Sequence, residues 1–266
     1  MFIGINLIAP QDLSNLQHLS QSGEIDFCEL IVDNFIHISP EKIRRSLSGL
    51  PLGLHVVNSC FIERDDRNLK ALAEKIRPWI HAINPIYVSD HLVKNQDEAG
   101  QQLPFPLEVD YQNVSFIEEK VLAWQNYLDH PLLLENHASL IPNSNFQSNF
   151  FATLKKKTGV DLLFDFSNAY IADYNGVLAK SAWQSLVNDT RYFHVSGFRL
   201  DNATGFAIDT HDTPIADEVI QFMEGFAELF QQKNHLVIET TADFDISSWR
   251  KERTKILSRI IKNNAG

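Results

Sequence analysis

VDLLFDFSN, residues 160–168, decides the fold. Its apolar residues run on without alternation until Asp165, where a carboxylate ends the run. Such a run suits a strand buried on both faces, as in parallel sheets. The same form recurs along the chain: GLHVV at 53–57 with His55, IYVSDH at 86–91 with His91, and LLLEN at 132–136 with Glu135. Further on come YFHVSG at 192–197 with His194, AIDTHD at 207–212 with Asp209 and His211, and LVIET at 236–240 with Glu239. One histidine after a β-branched run means little. Repetition of His, Asp and Glu at successive strand ends means that the strands converge on one polar site. Imidazole and carboxylate are ligands that iron, zinc and manganese accept.

Working outward, strand-like runs are expected at 2–8, 25–31, 52–57, 85–90, 131–135, 160–166, 191–196 and 235–240. Helical spacing of apolar residues fills the gaps at 10–22, 40–49, 66–83, 113–128, 147–157, 178–188, 215–232 and 246–263. Ser39 and Pro40 stand as N-cap and first residue of the second helix. Asp65 stands at the start of the third, and Gly159 follows the basic end LKKK as a C-cap. Eight strands alternating with eight helices predict an α/β fold, a TIM (β/α)8 barrel formed as one domain over 1–266. A doubly wound sheet would rarely place polar ligands at nearly every strand end. The long connections 91–112 and 196–214 fall on the barrel's C-terminal face, where substrates bind.

Composition narrows the function. Of 266 residues, 44% are hydrophobic and 21% charged, as in a protein with a sizeable core. The net charge of −11 repels nucleic-acid phosphates and anionic membranes, so neither is an expected partner. Cys28 and Cys60 form no CxxC motif, which speaks against a disulfide framework and fits a reducing cytoplasm. No basic segment precedes the first apolar run, and no run approaches the ~20 residues that span a bilayer.

The expected ligands are His55, His91, Glu135, Asp165, His194 and Glu239 at strand ends, with Asn168, Asp209 and His211 close by. One ion takes about four to six protein ligands, so this inventory suggests two or three ions. Asp90 and Asn136 stand beside ligands and are expected to orient them. His18, His37, His81, His130, His137 and His235 read as surface or packing residues. Cys28 reads as a small buried hydrophobe, and Cys60, near His55, is open to a redox role. No GxSxG, Walker or GxGxxG motif is present. Two reaction classes remain open on the residues alone: Lewis-acid isomerisation or hydrolysis of a sugar or phosphate, and oxygen chemistry at iron. A non-catalytic peptide scaffold is a third possibility.

The segments GEIDFCELIVDNFIHISPE (23–41), GLHVVNSCFIE (53–63), PIYVSDHL (85–92), LLLEN, LLFDFSNAYIADYN (162–175), YFHVSGF and DTHD together resemble the multinuclear non-haem iron-dependent oxidases, in particular their methanobactin (MbnB) branch. The likeness spans nearly the whole chain in order and spacing. It implies a xylose-isomerase-like TIM barrel holding two or three irons. One iron would use His55, His91 and Glu135. Glu135 would bridge to a second, held by Asp165, His194 and Glu239, and Asn168, Asp209 and His211 would hold a third. The implied reaction is a dioxygen-dependent, four-electron oxidation of cysteines in a ribosomal (RiPP) precursor peptide, MbnA-like, giving oxazolone and thioamide groups. The implied partner is a smaller MbnC-like subunit forming a heterodimer. A cysteine thiolate is a good iron ligand, which suits such a substrate. Many relatives of that family carry an acid very soon after the last-strand Glu, whereas here the first acid after Glu239 is Asp243. Asp209, Asp243 and Glu135 are the candidate catalytic carboxylates, with Asp212 as a further base.

Overall fold

The computed structural model describes residues 1–47, 49–97, 99–140 and 146–260. In chain order the elements are β1 (Phe2–Leu7), α1 (Leu13–Gln21), β2 (Phe27–Ile31), α2 (Pro40–Ser46), β3 (Leu52–Val56), α3 (Asp66–Ile83) and β4 (Val88–His91). A hairpin of β5 (Val93–Gln96) and β6 (Gln102–Glu108) follows, then α4 (Val114–Leu128), β7 (Leu133–Glu135), α5 (Gln147–Thr158), β8 (Asp161–Asp165), α6 (Phe166–Tyr174), α7 (Gln184–Asn188) and β9 (Tyr192–Val195). A second hairpin, β10 (Phe198–Leu200) and β11 (Ala207–Asp209), precedes α8 (Asp217–Glu224), β12 (His235–Ile238) and α9 (Ile246–Ile260).

Strands β1, β2, β3, β4, β7, β8, β9 and β12 form a closed parallel barrel, with β12 pairing back onto β1. These are the eight runs expected from the sequence, seven of them trimmed by a few residues and the fourth shifted to Val88–His91. The helices cover the outside because each carries one apolar stripe. In α3, Leu69, Ile76, Ile80 and Ile83 are buried, as the spacing predicts, and the Asp65 carboxylate caps the helix by accepting from the Asn68 amide. Gly159 ends α5 at φ +72°, the left-handed conformation that glycine adopts without strain.

Inside the barrel, the period of two along each strand builds layers. Phe27, Tyr87, Leu133, Leu163 and Val237 pack together as one apolar layer. Two residues further along the same strands stand Glu29, Ser89, Glu135, Asp165 and Glu239, all buried. His55 and His194 join them from β3 and β9, and His91 closes β4. The apolar layer is the dry floor beneath a polar ring. Below it, His235 stacks on Tyr192 and packs edge-on to Phe27, a packing role as expected.

Four features depart from the expected pattern. The connections 91–112 and 196–214 each fold a hairpin rather than a plain loop. Helix α6 begins directly after β8, because Asp165 ends the strand and caps the helix by accepting from the Asn168 amide at 2.8 Å. The helix expected at 215–232 stops at Glu224, where Gly225 is a poor helix former, and resumes only as a short 3-10 turn at Leu229–Gln231. Helix α7 is shorter than the expected 178–188, being preceded by the 3-10 turn Lys180–Trp183. The expected helical residues Ser48 and 261–263 lie outside the described residues.

Candidate metal centre

Strand register sets the neighbours. His91 on β4 pairs with Glu135 on β7, and Asp165 on β8 pairs with His194 on β9. The His55 and His91 Nε2 atoms lie 2.8 Å apart, and both face Glu135 Oε2, at 3.5 and 3.1 Å. Ser89 Oγ donates to the Leu54 carbonyl, so His55 Nδ1 donates to Ser89 Oγ at 2.7 Å, leaving Nε2 its lone pair. Across the barrel His194 Nε2 donates to Glu29 Oε2 at 2.9 Å, and Tyr87 Oη donates to the same oxygen at 2.8 Å. His194 Nδ1 then faces Glu239 Oε1 at 3.3 Å and Glu135 Oε1 at 3.7 Å. Glu135 thus stands between two clusters, His55–His91–Glu135 and Glu135–Asp165–His194, each with ligand atoms within 4.8 Å of one another.

The second hairpin brings the remaining groups. His211 Nε2 contacts Asp209 Oδ2 at 2.8 Å and Glu239 Oε2 at 3.9 Å. Its backbone bonds to the Gly197 carbonyl and takes φ +57°, an uncommon conformation for a non-glycine residue. Gly197 is tightly placed: a Cβ there would lie 1.8 Å from the Thr213 carbonyl oxygen. Asn168 donates to Glu135 Oε1 at 3.1 Å and to the Asn136 carbonyl at 3.0 Å. All nine residues read from the sequence as ligands are therefore joined by close side-chain approaches at the C-terminal ends of the strands. The two neighbours expected to orient ligands each bond to the backbone of the adjoining or facing site residue. Asp90 accepts from the His91 amide and from Trp124 Nε1, while Asn136 exchanges two hydrogen bonds with the Asp165 backbone.

The electrostatics call for cations. Glu29 Oε1, Glu135 Oε2, Asp165 Oδ2, Asn168 Oδ1, His194 Nδ1 and Glu239 Oε2 are buried without a hydrogen-bond partner. Buried polar atoms are rarely left so, and buried charges are normally paired or bound to metal. Burial pushes the Asp165 carboxyl well above its ordinary range, and the carboxylates of Glu239, Glu135 and Asp209 push the same way. Burial opposes charge on His194, but the Glu239, Glu29 and Glu135 carboxylates overrule it and raise that imidazole well above its usual value. At His91 burial is likewise overruled, chiefly by Glu135, and the pKa rises to about 9. Unpartnered carboxylate and imidazole atoms brought this close together suit metal ions, so these residues fit a multinuclear His/carboxylate centre.

Glu29 is the residue that the strand-end reading missed. It lies mid-strand in FCELI, fully buried, and the signal was there: a carboxylate inside an otherwise apolar run. His137, read as a packing residue, is partly buried and lines a cavity of about 180 Å³ that shares Glu135 and Asp209 with the ring. Burial holds its pKa down to about 4. Asp243 stands apart from the ring, exposed and at φ +58°, in a second cavity of about 300 Å³ bordered by His211 and Glu239. Asp212 is engaged by Arg199 at 2.8 Å, which lowers its pKa. Cys28 and Cys60 are buried free thiols, and burial raises both pKa values.

The sequence model of a family described as "RiPP precursor modification enzyme MbnB/TglH/ChrH" matches residues 3–259. A UPF0276 protein of Vibrio parahaemolyticus is 26% identical over 262 residues, covering 91% of this chain and 86% of that one. A UPF0276 protein of Caulobacter vibrioides is 28% identical over 230 residues, covering 79% and 78%. Among solved structures, a xylose isomerase-like TIM barrel protein from Mycobacterium smegmatis, in complex with magnesium, superposes with a TM-score of 0.65 at 15% identity, covering 99% and 98% of the two chains. Endonuclease IV from Thermus thermophilus superposes with a TM-score of 0.59 at 15% identity, covering 99% and 100%. These two likenesses concern the fold alone, a TIM barrel.

Proposed function

We propose, from the premise that this chain belongs to the MbnB/TglH/ChrH family of RiPP precursor modification enzymes, that it is a multinuclear iron-dependent oxidase of peptide cysteines. One observation carries the reading: buried, unpartnered ligand atoms converge on a carboxylate, Glu135, that belongs to two clusters at once. The ligand set has no thiolate, and imidazole with carboxylate is the set that oxygen-activating iron accepts. His55, His91 and Glu135 would hold one iron, and Glu135, Asp165, His194 and Glu239 a second. Asn168, Asp209 and His211 would hold a third. Iron bound there supplies redox chemistry with dioxygen as cosubstrate.

The chain's own residues do the rest. Glu29 and Tyr87 keep the proton of His194 on Nε2, so Nδ1 stays free toward the ring. Asp209, held by Ser196 and His211, lies at the mouth and is the carboxylate best placed to take a substrate proton. Asp243 is the alternative base, reached across the second cavity. Four electrons leave each modified cysteine residue and reduce one dioxygen to two waters. The product is the oxazolone with its adjacent thioamide, formed by methanobactin-type chemistry with a smaller MbnC-like partner. We read residues 1–266 as one domain that works in the cytoplasm. Among the described residues no helix is long and apolar enough to cross a membrane.

The test is metal analysis of protein purified without oxygen, followed by mass spectrometry. The protein would be mixed with its partner, a cysteine-bearing precursor and oxygen. Iron above one ion per chain and loss of four hydrogens per modified cysteine is the expected result. Zinc or manganese without iron would sink the oxidase in favour of an isomerase or phosphoesterase on this barrel.

A further inference from the structure

The cavity of about 180 Å³ beside the ring has a chemistry of its own. Its walls come from the first hairpin, through Val93, Phe105 and Pro106, and from Ala138, Leu140 and Ile208. Asn136 and His137 complete the lining, and among the described residues it carries no carboxylate, lysine or arginine outside the ring. The second cavity differs: Asp212, Asp243, Asp245 and Glu252 line it. An apolar cavity of about 150 Å³ holds a benzene molecule, so this one has room for a single aliphatic or aromatic side chain. At its lip Phe105 is 58% exposed, and Leu107, two residues along β6, is 42% exposed. Large apolar side chains left this open on a strand are a cost unless something covers them. Their i, i+2 spacing puts both on one face of the strand, the spacing of alternate side chains in an extended peptide lying alongside.

We propose that this cavity receives one apolar side chain, of leucine to phenylalanine size, from the residue next to the one that reaches the ring. The inference rests on the peptide reading above and adds the substrate's local chemistry to it. The cavity and the ring share Glu135 and Asp209, so a side chain seated there brings its neighbour over the ligands. An acidic neighbour would be desolvated beside carboxylates and rejected.

The probes are fluorescein-labelled hexapeptides, Gly-Ser-X-Cys-Ser-Gly and Gly-Ser-Cys-X-Ser-Gly, with X as Leu, Phe, Ser or Asp. Binding is read by fluorescence polarisation on the protein as purified, kept without oxygen. In one of the two frames, Leu and Phe should bind about tenfold or more tighter than Ser and Asp. Phe105→Asp, on an exposed side chain, should erase that preference and leave the metal content unchanged. Cysteine-dependent binding with affinities within about twofold for all X would overturn the cavity assignment and leave the peptide reading standing. No binding by any probe would overturn both.

Discussion

The ring draws its members from two kinds of structure, and they are held differently. Strand-borne groups sit on the barrel itself: the side chains of His55, Glu135, His194 and Glu239 are 2%, 6%, 0% and 6% exposed, with His91 more open at 28%. Their register is fixed by the hydrogen bonds of their strands. Asp209 and His211 arrive on a three-residue strand and its turn, and are 27% and 26% exposed. The barrel supplies precise, desolvated donors, whereas the hairpin supplies donors at the mouth, where substrate must pass. Position on a rigid element and position on a loop have different physical consequences.

The hardest blow to this contrast is at the shared carboxylate. Glu135→Ala should lose more than one metal ion per chain, and activity with them, because one side chain serves two clusters. Elemental analysis showing loss of one ion or none would break the strand-borne half of the comparison. Next is Gly197→Ala. Its Cβ would collide with the Thr213 carbonyl, so the hairpin must move away. We expect about 1–3 kcal/mol of destabilisation by denaturant unfolding, with metal lost only from the hairpin-borne part. An unaltered metal count would show that the hairpin holds none.

Glu29→Gln probes how the barrel orients its donors. It keeps the shape but weakens the hold on His194 Nε2–H, and chelator competition should show affinity reduced by roughly 10–100-fold. Nitrogen-15 shifts of His194 in the metal-free protein should show the Nε2-protonated tautomer populated less; an unchanged tautomer would leave Glu29 a packing residue. Smallest is Tyr87→Phe, which removes one of the two donors to Glu29 at a cost of about 1–2 kcal/mol. Metal affinity should change by no more than a few-fold, since His194 keeps its partner. A loss as large as that of Glu29→Gln would mean that the tyrosine, too, fixes the ring.

What the sequence made legible follows the same division. Strand-borne ligands stand where an apolar run stops, and eight such runs with helices between them permit few architectures. Glu29 was hidden by attention to run ends, since it lies two residues before the end of its strand. The first hairpin was hidden by Pro104 and Pro106 within QLPFPLE, because proline inside a run argues against a strand. The second hairpin was hidden by brevity, its strands being three residues each. Helix α6 was hidden because its cap, Asp165, also reads as a strand-end ligand. Which metal such a ring would take is not written in the donors alone, for imidazole and carboxylate serve several.

The two hairpins have an evolutionary consequence. Each is inserted after a finished barrel strand, β5–β6 behind β4 and β10–β11 behind β9, and each forms its own two-stranded sheet. The first carries cavity walls and none of the ring's donors. Exchanging its residues alters a surface, which costs little stability, whereas exchanging ring residues alters a buried core. A lineage could therefore change the peptide it accepts by rewriting residues 93–108 while inheriting its chemistry intact. Relatives only about a quarter identical to this chain would then be expected to diverge fastest in that segment.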